Sequence, residues 1–186
     1  MTGKAGQPGA LSTVGHGTLA RPKLAALLQA NGISQLVDVR RFPGSRRNPD
    51  LSRDALAGWL PGLGIGYRWE ERLGGRRRLP AGEPVVDTWW TVPAFAAYAA
   101  HTRSEEFRSG MGQLVEEAAC AAVAVLCSET VWWRCHRRLV ADVATLARGM
   151  PVQHLMPAAQ PVAHRPAAGA RVRADGLVVW DAAPPA

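Results

Sequence analysis

Lysine is nearly absent: of the chain's 22 cationic side chains only Lys4 and Lys23 are not arginine. Set against 15 carboxylates they leave a formal charge of +7. The charge is therefore carried by planar guanidinium groups, which suit bidentate phosphate contact and stacking better than ammonium groups do. It favours a polyanionic partner, although a GC-rich genome also yields such a composition, and charge speaks to attraction rather than to fold. Cysteine is scarce too. Cys120, Cys127 and Cys135 are too few, and odd in number, for a disulfide framework, as expected of a reducing compartment. No run approaches the roughly 20 apolar residues of a membrane span, and "MTGKAGQPGA" lacks the apolar block of a secretory signal. These absences set aside a secreted disulfide scaffold and a membrane protein. A cytoplasmic chain without membrane contact is expected.

What is present suffices for one domain: 186 residues, of which 47% are hydrophobic. Residues 1–10, rich in Gly and Pro, are expected to be a flexible leader, 11–157 a single domain, and 158–186 a Pro- and Ala-rich tail with a possible edge strand in "GLVVW". Within the domain "LSTVGHG" reads as a buried strand ending in a glycine turn. Apolar side chains at helical spacing over 19–31 predict a helix stopped by Gly32. "ISQLVDVRRFP" predicts a second strand, 52–61 a short helix capped by Ser52, and "GIGYRWEERLGG" a third strand running into a basic glycine loop. Two helices fill 92–119, with Ser104 capping the second and Glu105 and Glu106 in its first turn. "AAVAVLC" has the continuous apolar character of a buried parallel strand. "WRCHRRLVADVATLARG" returns to helical period and "MPVQHLM" gives a last strand. The alternation predicts an α/β fold with a Rossmann-like, mostly parallel sheet and helices on both faces.

In such sheets ligands bind beyond the carboxyl ends of the strands. The first strand exits at Gly15, His16 and Gly17, the second at Asp38, Arg40 and Arg41, and the buried one at Cys127, Ser128 and Glu129. If those strands are neighbours, a histidine, two carboxylates, a thiol and arginines share one rim. Salt bridging of Asp38 to Arg40 or Arg137, which would only brace the loop, is the structural alternative.

The stretch "CSETVWWRCHRR", residues 127–138, concentrates the remaining chemistry. A zinc cage is disfavoured by spacing, because no second Cys or His pair completes a four-ligand set. Cys135 and His136 are adjacent on the predicted helix, so they are expected to diverge, with Cys135 packed and His136 facing the cleft. A cysteine-phosphatase loop is disfavoured because "SETVWW" is bulky and acidic where a cradle of backbone N–H groups is needed. A redox or sulfur-transfer role for Cys127 stays open beside a merely buried thiol. Arg137 is expected to pair with Glu129. Trp132 and Trp133 beside arginines suit base stacking or wedging, with sheet packing as the alternative for one of them. Arg40, Arg41, Arg46, Arg47 and Asn48 cluster in an irregular loop, and Arg76, Arg77 and Arg78 in another, as a phosphate-tracking rim would.

"TVGHGT", "LVDVRRFPGSRRNPDLSRDAL", "GIGYRWEERLGG", "FAAYAAHTRSEEF", "VAVLCSETVWWRCHRRLVADVATLARG" and "VQHL" together resemble the bacterial and archaeal family catalogued as domain of unknown function 488. The resemblance covers roughly residues 12–156. It implies a compact α/β domain whose cleft carries these motifs, and no settled reaction. "GHGT" departs from the common Ser before Thr, and "CSE" from the common "CAE"; neither change removes an ionisable group.

Breaking a sugar–base bond builds positive charge on the sugar, which a carboxylate stabilises while a base activates water. The sequence therefore leads to a nucleic-acid-acting hydrolase, DNA glycosylase-like, that removes a modified or damaged base, with DNA favoured over RNA. Its expected catalytic residues are Asp38, Glu129 and His16. Binding is expected from Arg40, Arg41, Arg46, Arg47, Asn48, Trp132, Trp133, His136 and Arg137, without metal or cofactor. A small-nucleotide hydrolase or transferase and a non-catalytic nucleic-acid-binding module are the rivals.

Overall fold

Fully buried strands give the structure its centre. The computed structural model describes residues 6–44 and 48–182. Strands β1 (Leu11–Gly15), β2 (Gln35–Asp38), β3 (Gly66–Trp69), β4 (Val123–Cys127) and β5 (Val152–Leu155) run parallel. A two-residue β6 (Val162–Ala163) adds an antiparallel edge, and the sheet order is β3-β2-β4-β1-β5-β6. Every residue of β1 and β4 is buried, as befits central strands covered on both faces.

The covering elements are α1 (Arg21–Ala30), α2 (Arg53–Trp59), α3 (Pro93–His101), α4 (Glu105–Cys120) and α5 (Arg137–Arg148). Side chains alternate between the sheet's faces. Val37, Val39, Val123 and Val125 meet Phe107, Leu114, Leu139 and Val140 from the later helices. Leu36, Ala124 and Leu126 meet Leu24, Leu28 and Leu56 from α1 and α2. Each such aliphatic side chain contributes about 1.5–3 kcal/mol when fully buried. The Ser52 and Ser104 hydroxyls accept from Ala55 N and Phe107 N as expected, and Gly32 lies in the left-handed region just beyond α1.

The Pro- and Ala-rich segment after residue 157 differs from a linker. Strands β7 (Ala170–Val172) and β8 (Val178–Trp180) form a separate antiparallel pair against α5, rather than an edge of the main sheet. Trp180 is fully buried, and its indole N–H donates to Asp142 Oδ2 at 2.8 Å. One large anchored aromatic outweighs the local composition.

Topology fixes where a crevice opens. From β2 the chain turns to α2 on one face, whereas from the neighbouring β4 it turns to α5 on the other. Loops that diverge from adjacent parallel strands leave a gap between them.

Candidate functional site

That gap holds a cleft of about 450 Å³, within the range of small-molecule sites. Its floor is Cys127, Cys135 and His136; Ser128 and Glu129 come from the end of β4. Phe42, Phe95 and Tyr98 supply aromatic surface, and Arg40, Arg41, Arg76 and Arg134 surround it.

Cation pairing separates these arginines. Arg40 is 3% exposed and grips Asp38 twice, Nε to Oδ1 at 2.8 Å and Nη2 to Oδ2 at 2.6 Å. Arg41, Arg76 and Arg134 have no carboxylate partner among the described residues. The guanidinium groups of Arg41 and Arg76 lie 6.0 and 5.8 Å from the centre of the Phe42 ring, and that ring is 64% exposed. Arg76 holds a left-handed φ of 57°, uncommon for a residue with a Cβ. Glu129 is exposed, and its carboxylate has no partner among the described residues either.

The expected catalytic trio is not assembled. Asp38 is fully buried, and besides Arg40 it accepts from Tyr67 Oη at 2.8 Å and Arg40 N at 3.0 Å. Both its oxygens are engaged, so it is the loop brace that the sequence left as the alternative. His16 lies behind Arg40 and does not line the cleft. Its Nδ1–H donates to Gly17 O at 3.0 Å, which leaves Nε2 to accept from Arg40 Nη1 at 3.3 Å. Burial, then the Arg40 charge, lower its pKa and favour this neutral form. Only Glu129 of the three faces the cleft.

Arg137 also departs from expectation. It is buried, and it donates to the backbone oxygens of Glu129 and Thr130 instead of the Glu129 carboxylate. Gly15 makes that approach feasible, since a Cβ there would stand 1.8 Å from Glu129 O and 2.5 Å from Arg137 Nη2. Trp132 stacks on His154 at 3.8 Å with planes 6° apart, outside the cleft, whereas Trp133 remains 49% exposed. Asn48 donates to Leu19 O at 2.6 Å and does not line the cleft. Arg46 and Arg47 lie outside the described residues.

Cys135 and His136 converge rather than diverge. The helix begins later than its period suggests: Trp132–Arg134 form a 3-10 turn, Cys135 is extended (φ −127°, ψ 150°), and His136 is the residue before α5. Both side chains therefore turn toward Cys127, with His136 Nδ1 3.6 Å from Cys135 Sγ and 3.8 Å from Cys127 Sγ. Burial alone would raise the Cys135 thiol, but Cys127, His136 and Arg137 together hold it well below the ordinary range. Its hydrogen bond to Cys135, then burial, push Cys127 well above that range. The spacing that spoke against a metal cage did not foresee these three donors meeting. Phe42, Phe95 and Tyr98 were also missed; for Phe42 the signal was an apolar ring between two arginines in "RRFPGSRR".

Fold and site thus define an α/β domain of Rossmann-like type with a basic, aromatic-walled cleft at the carboxyl edge of its sheet. Residues 22–144 match the family model described as Domain of unknown function DUF488, and the chain belongs to that family. No curated protein and no solved structure matches the chain.

Proposed function

We propose that the protein binds a nucleobase-bearing polyanion in this cleft and hydrolyses the bond between an altered base and its sugar, as a DNA glycosylase-like enzyme. The observation that supports it is a carboxylate, Glu129, that has no partner among the described residues and is set beside aromatic surface and among guanidinium groups that have no counter-ion among those residues either. Arg41, Arg76 and Arg134 hold phosphate oxygens, and the exposed Phe42 ring offers a stacking face. As the C1′–N bond breaks, positive charge grows on the sugar and the Glu129 carboxylate stabilises it. Water then bonds to C1′ and gives its proton to Glu129, which passes that proton on to the departing base and returns to the carboxylate. A base inside a duplex must first be extruded, and Trp133 is the exposed ring outside the cleft suited to fill its place.

The test is incubation with single strands and duplexes that carry a panel of altered bases, with abasic sites as the readout. Glu129→Gln is expected to lower turnover by about a hundredfold or more while substrate binding persists. Undiminished turnover in that variant overturns the role of Glu129, and the absence of base release on every substrate overturns the reaction. The cleft's volume, within the range of small-molecule sites, favours a free nucleotide as the second reading. A shallow salt dependence of binding would select it, whereas a nucleic-acid strand gives a steep one.

A further inference from the structure

The proposed hydrolysis leaves the floor of the cleft without a task. There Cys127 Sγ at the end of β4, Cys135 Sγ and His136 Nδ1 ahead of α5 all lie within 4.8 Å of one another. Zinc bound tetrahedrally, with Zn–S about 2.3 Å and Zn–N about 2.0 Å, sets S···N edges of about 3.5 Å and an S···S edge of about 3.8 Å. The S···Nδ1 separations of 3.6 and 3.8 Å already sit on that scale.

The imidazole is oriented for coordination. His136 Nε2 lies 3.2 Å from Val39 O, which can only accept, so Nε2 carries the proton and Nδ1 presents its lone pair to both sulfurs. A ring N–H donated to a backbone carbonyl is the outer contact that metal-bound histidines usually make. Gly75 leaves that lone pair clear. A Cβ there would stand 2.8 Å from Nδ1 and 3.2 and 3.3 Å from the two adjoining ring carbons, distances that place it over the ring face and not in its plane.

We propose that Cys127, Cys135 and His136 form a three-donor site for a zinc-class divalent cation, with its fourth position open to the cleft. Two sulfurs and an imidazole select zinc over magnesium or calcium, which take oxygen donors. Three protein ligands and an open position make the pattern of a catalytic, not a closed structural, zinc site. A water or substrate oxygen would take the fourth position on the side lined by Ser128, Glu129 and Arg134. Binding releases the thiol protons to solvent.

The experiment measures metal binding alone, so it stands or falls apart from base release. Metal-free full-length protein is titrated with Zn2+ against a chromophoric chelator, and separately with Co2+ as a spectroscopic probe. One equivalent of Zn2+ is expected to bind tightly, and the cobalt protein is expected to show thiolate-to-metal charge transfer with tetrahedral bands. Cys127→Ser, Cys135→Ser and His136→Gln should each weaken zinc binding at least about tenfold. Cys120→Ser, which changes the exposed thiol outside the cleft, should not. An octahedral cobalt spectrum without thiolate absorption overturns the proposal even if the variants fail to fold. So do equal zinc affinities in all four variants, or metal-free protein that holds Cys127 and Cys135 as a stable disulfide and takes up no zinc.

Discussion

On one side of Arg137 a chain of buried donors and acceptors runs without a gap, whereas on the other, polar groups face open space. The continuous side starts at Arg137 Nη1, which donates to Thr13 Oγ1 at 3.3 Å. Thr13 donates to His154 Nδ1 at 2.7 Å, His154 Nε2 to His164 Nδ1 at 3.0 Å, and His164 Nε2 to Asp142 Oδ1 at 2.8 Å. Asp142 also accepts from Ala167 N and Trp180 Nε1. His154 is then a neutral tautomer that donates once and accepts once, in a chain with a cation at one end and an anion at the other. The open side is the cleft, where Glu129, Arg41, Arg76 and Arg134 have no ionic partner among the described residues. Unmet polar groups are costly where water is excluded and cheap where it enters. A bonded chain of buried groups therefore signals a structural role, and unpaired charges gathered in a cleft signal a ligand.

The largest effect expected from this contrast is on the closed side. Asp142→Ala would strand His164 Nε2, Ala167 N and Trp180 Nε1 in the core, at about 1–3 kcal/mol for each unsatisfied group before relaxation. A loss of about 3–5 kcal/mol in urea unfolding, with an unchanged denaturant slope, is expected. A loss below about 1 kcal/mol would show that the chain of bonds is incidental. Acid should attack the same network. Burial, with the neighbouring His164 and Arg137, lowers the His154 pKa to about 2 from its ordinary value of 6.5. The unfolded chain thus binds the extra proton first, so stability is full above the unfolded value near 6.5 and falls as pH drops toward 2. The slope is about 1.4 kcal/mol per pH unit for that group. Thermal melts between pH 7 and pH 4.5 measure it, and a flat profile would refute the neutral His154.

The sequence carried the fold well because the fold is written in long segments. A continuous apolar run marked β4, a short strand ending in a glycine turn marked β1, and helical period with Ser52 and Ser104 marked α2 and α4. The site was legible only in part. Strand exits located the cleft and Glu129, since that rule depends on topology alone. Asp38 misled because a carboxylate two residues before an arginine reads alike whether it serves chemistry or braces a loop, and only its four hydrogen bonds decide. Cys135 and His136 misled because helical period ran back through "WRCHRR", while the backbone at Cys135 is extended. The histidine chain was invisible. His154, His164 and Asp142 lie on β5, just past β6 and on α5, and no spacing rule links them.

On the open side the changes in stability should nearly vanish while binding responds. Replacing Arg41, Arg76 or Arg134 by Gln is expected to shift unfolding by no more than about 0.5 kcal/mol, as is usual for surface positions away from special interactions. Each replacement that removes a phosphate contact should also lower the slope of log affinity against log salt by about one for a duplex ligand. Slopes unchanged from the parent protein in all three variants would place the strand elsewhere on the protein.

A small effect on stability is also expected at Trp133, and it tests whether the contrast extends beyond the cleft. Trp132 and Trp133 are adjacent and meet edge to face at 5.6 Å, yet Trp132 covers His154 while Trp133 is half exposed. Trp132→Ala would uncover the histidine chain and belongs with the closed side, at about 3 kcal/mol or more. Trp133→Ala removes a ring that buries little, so its unfolding free energy should change by under about 1 kcal/mol. If Trp133 fills the space of an extruded base, the same substitution should weaken duplex processing several-fold and leave single strands nearly untouched, because only a duplex needs the wedge. Equal losses on both substrates would make Trp133 a general contact, and no loss on either would return it to the surface as a bystander.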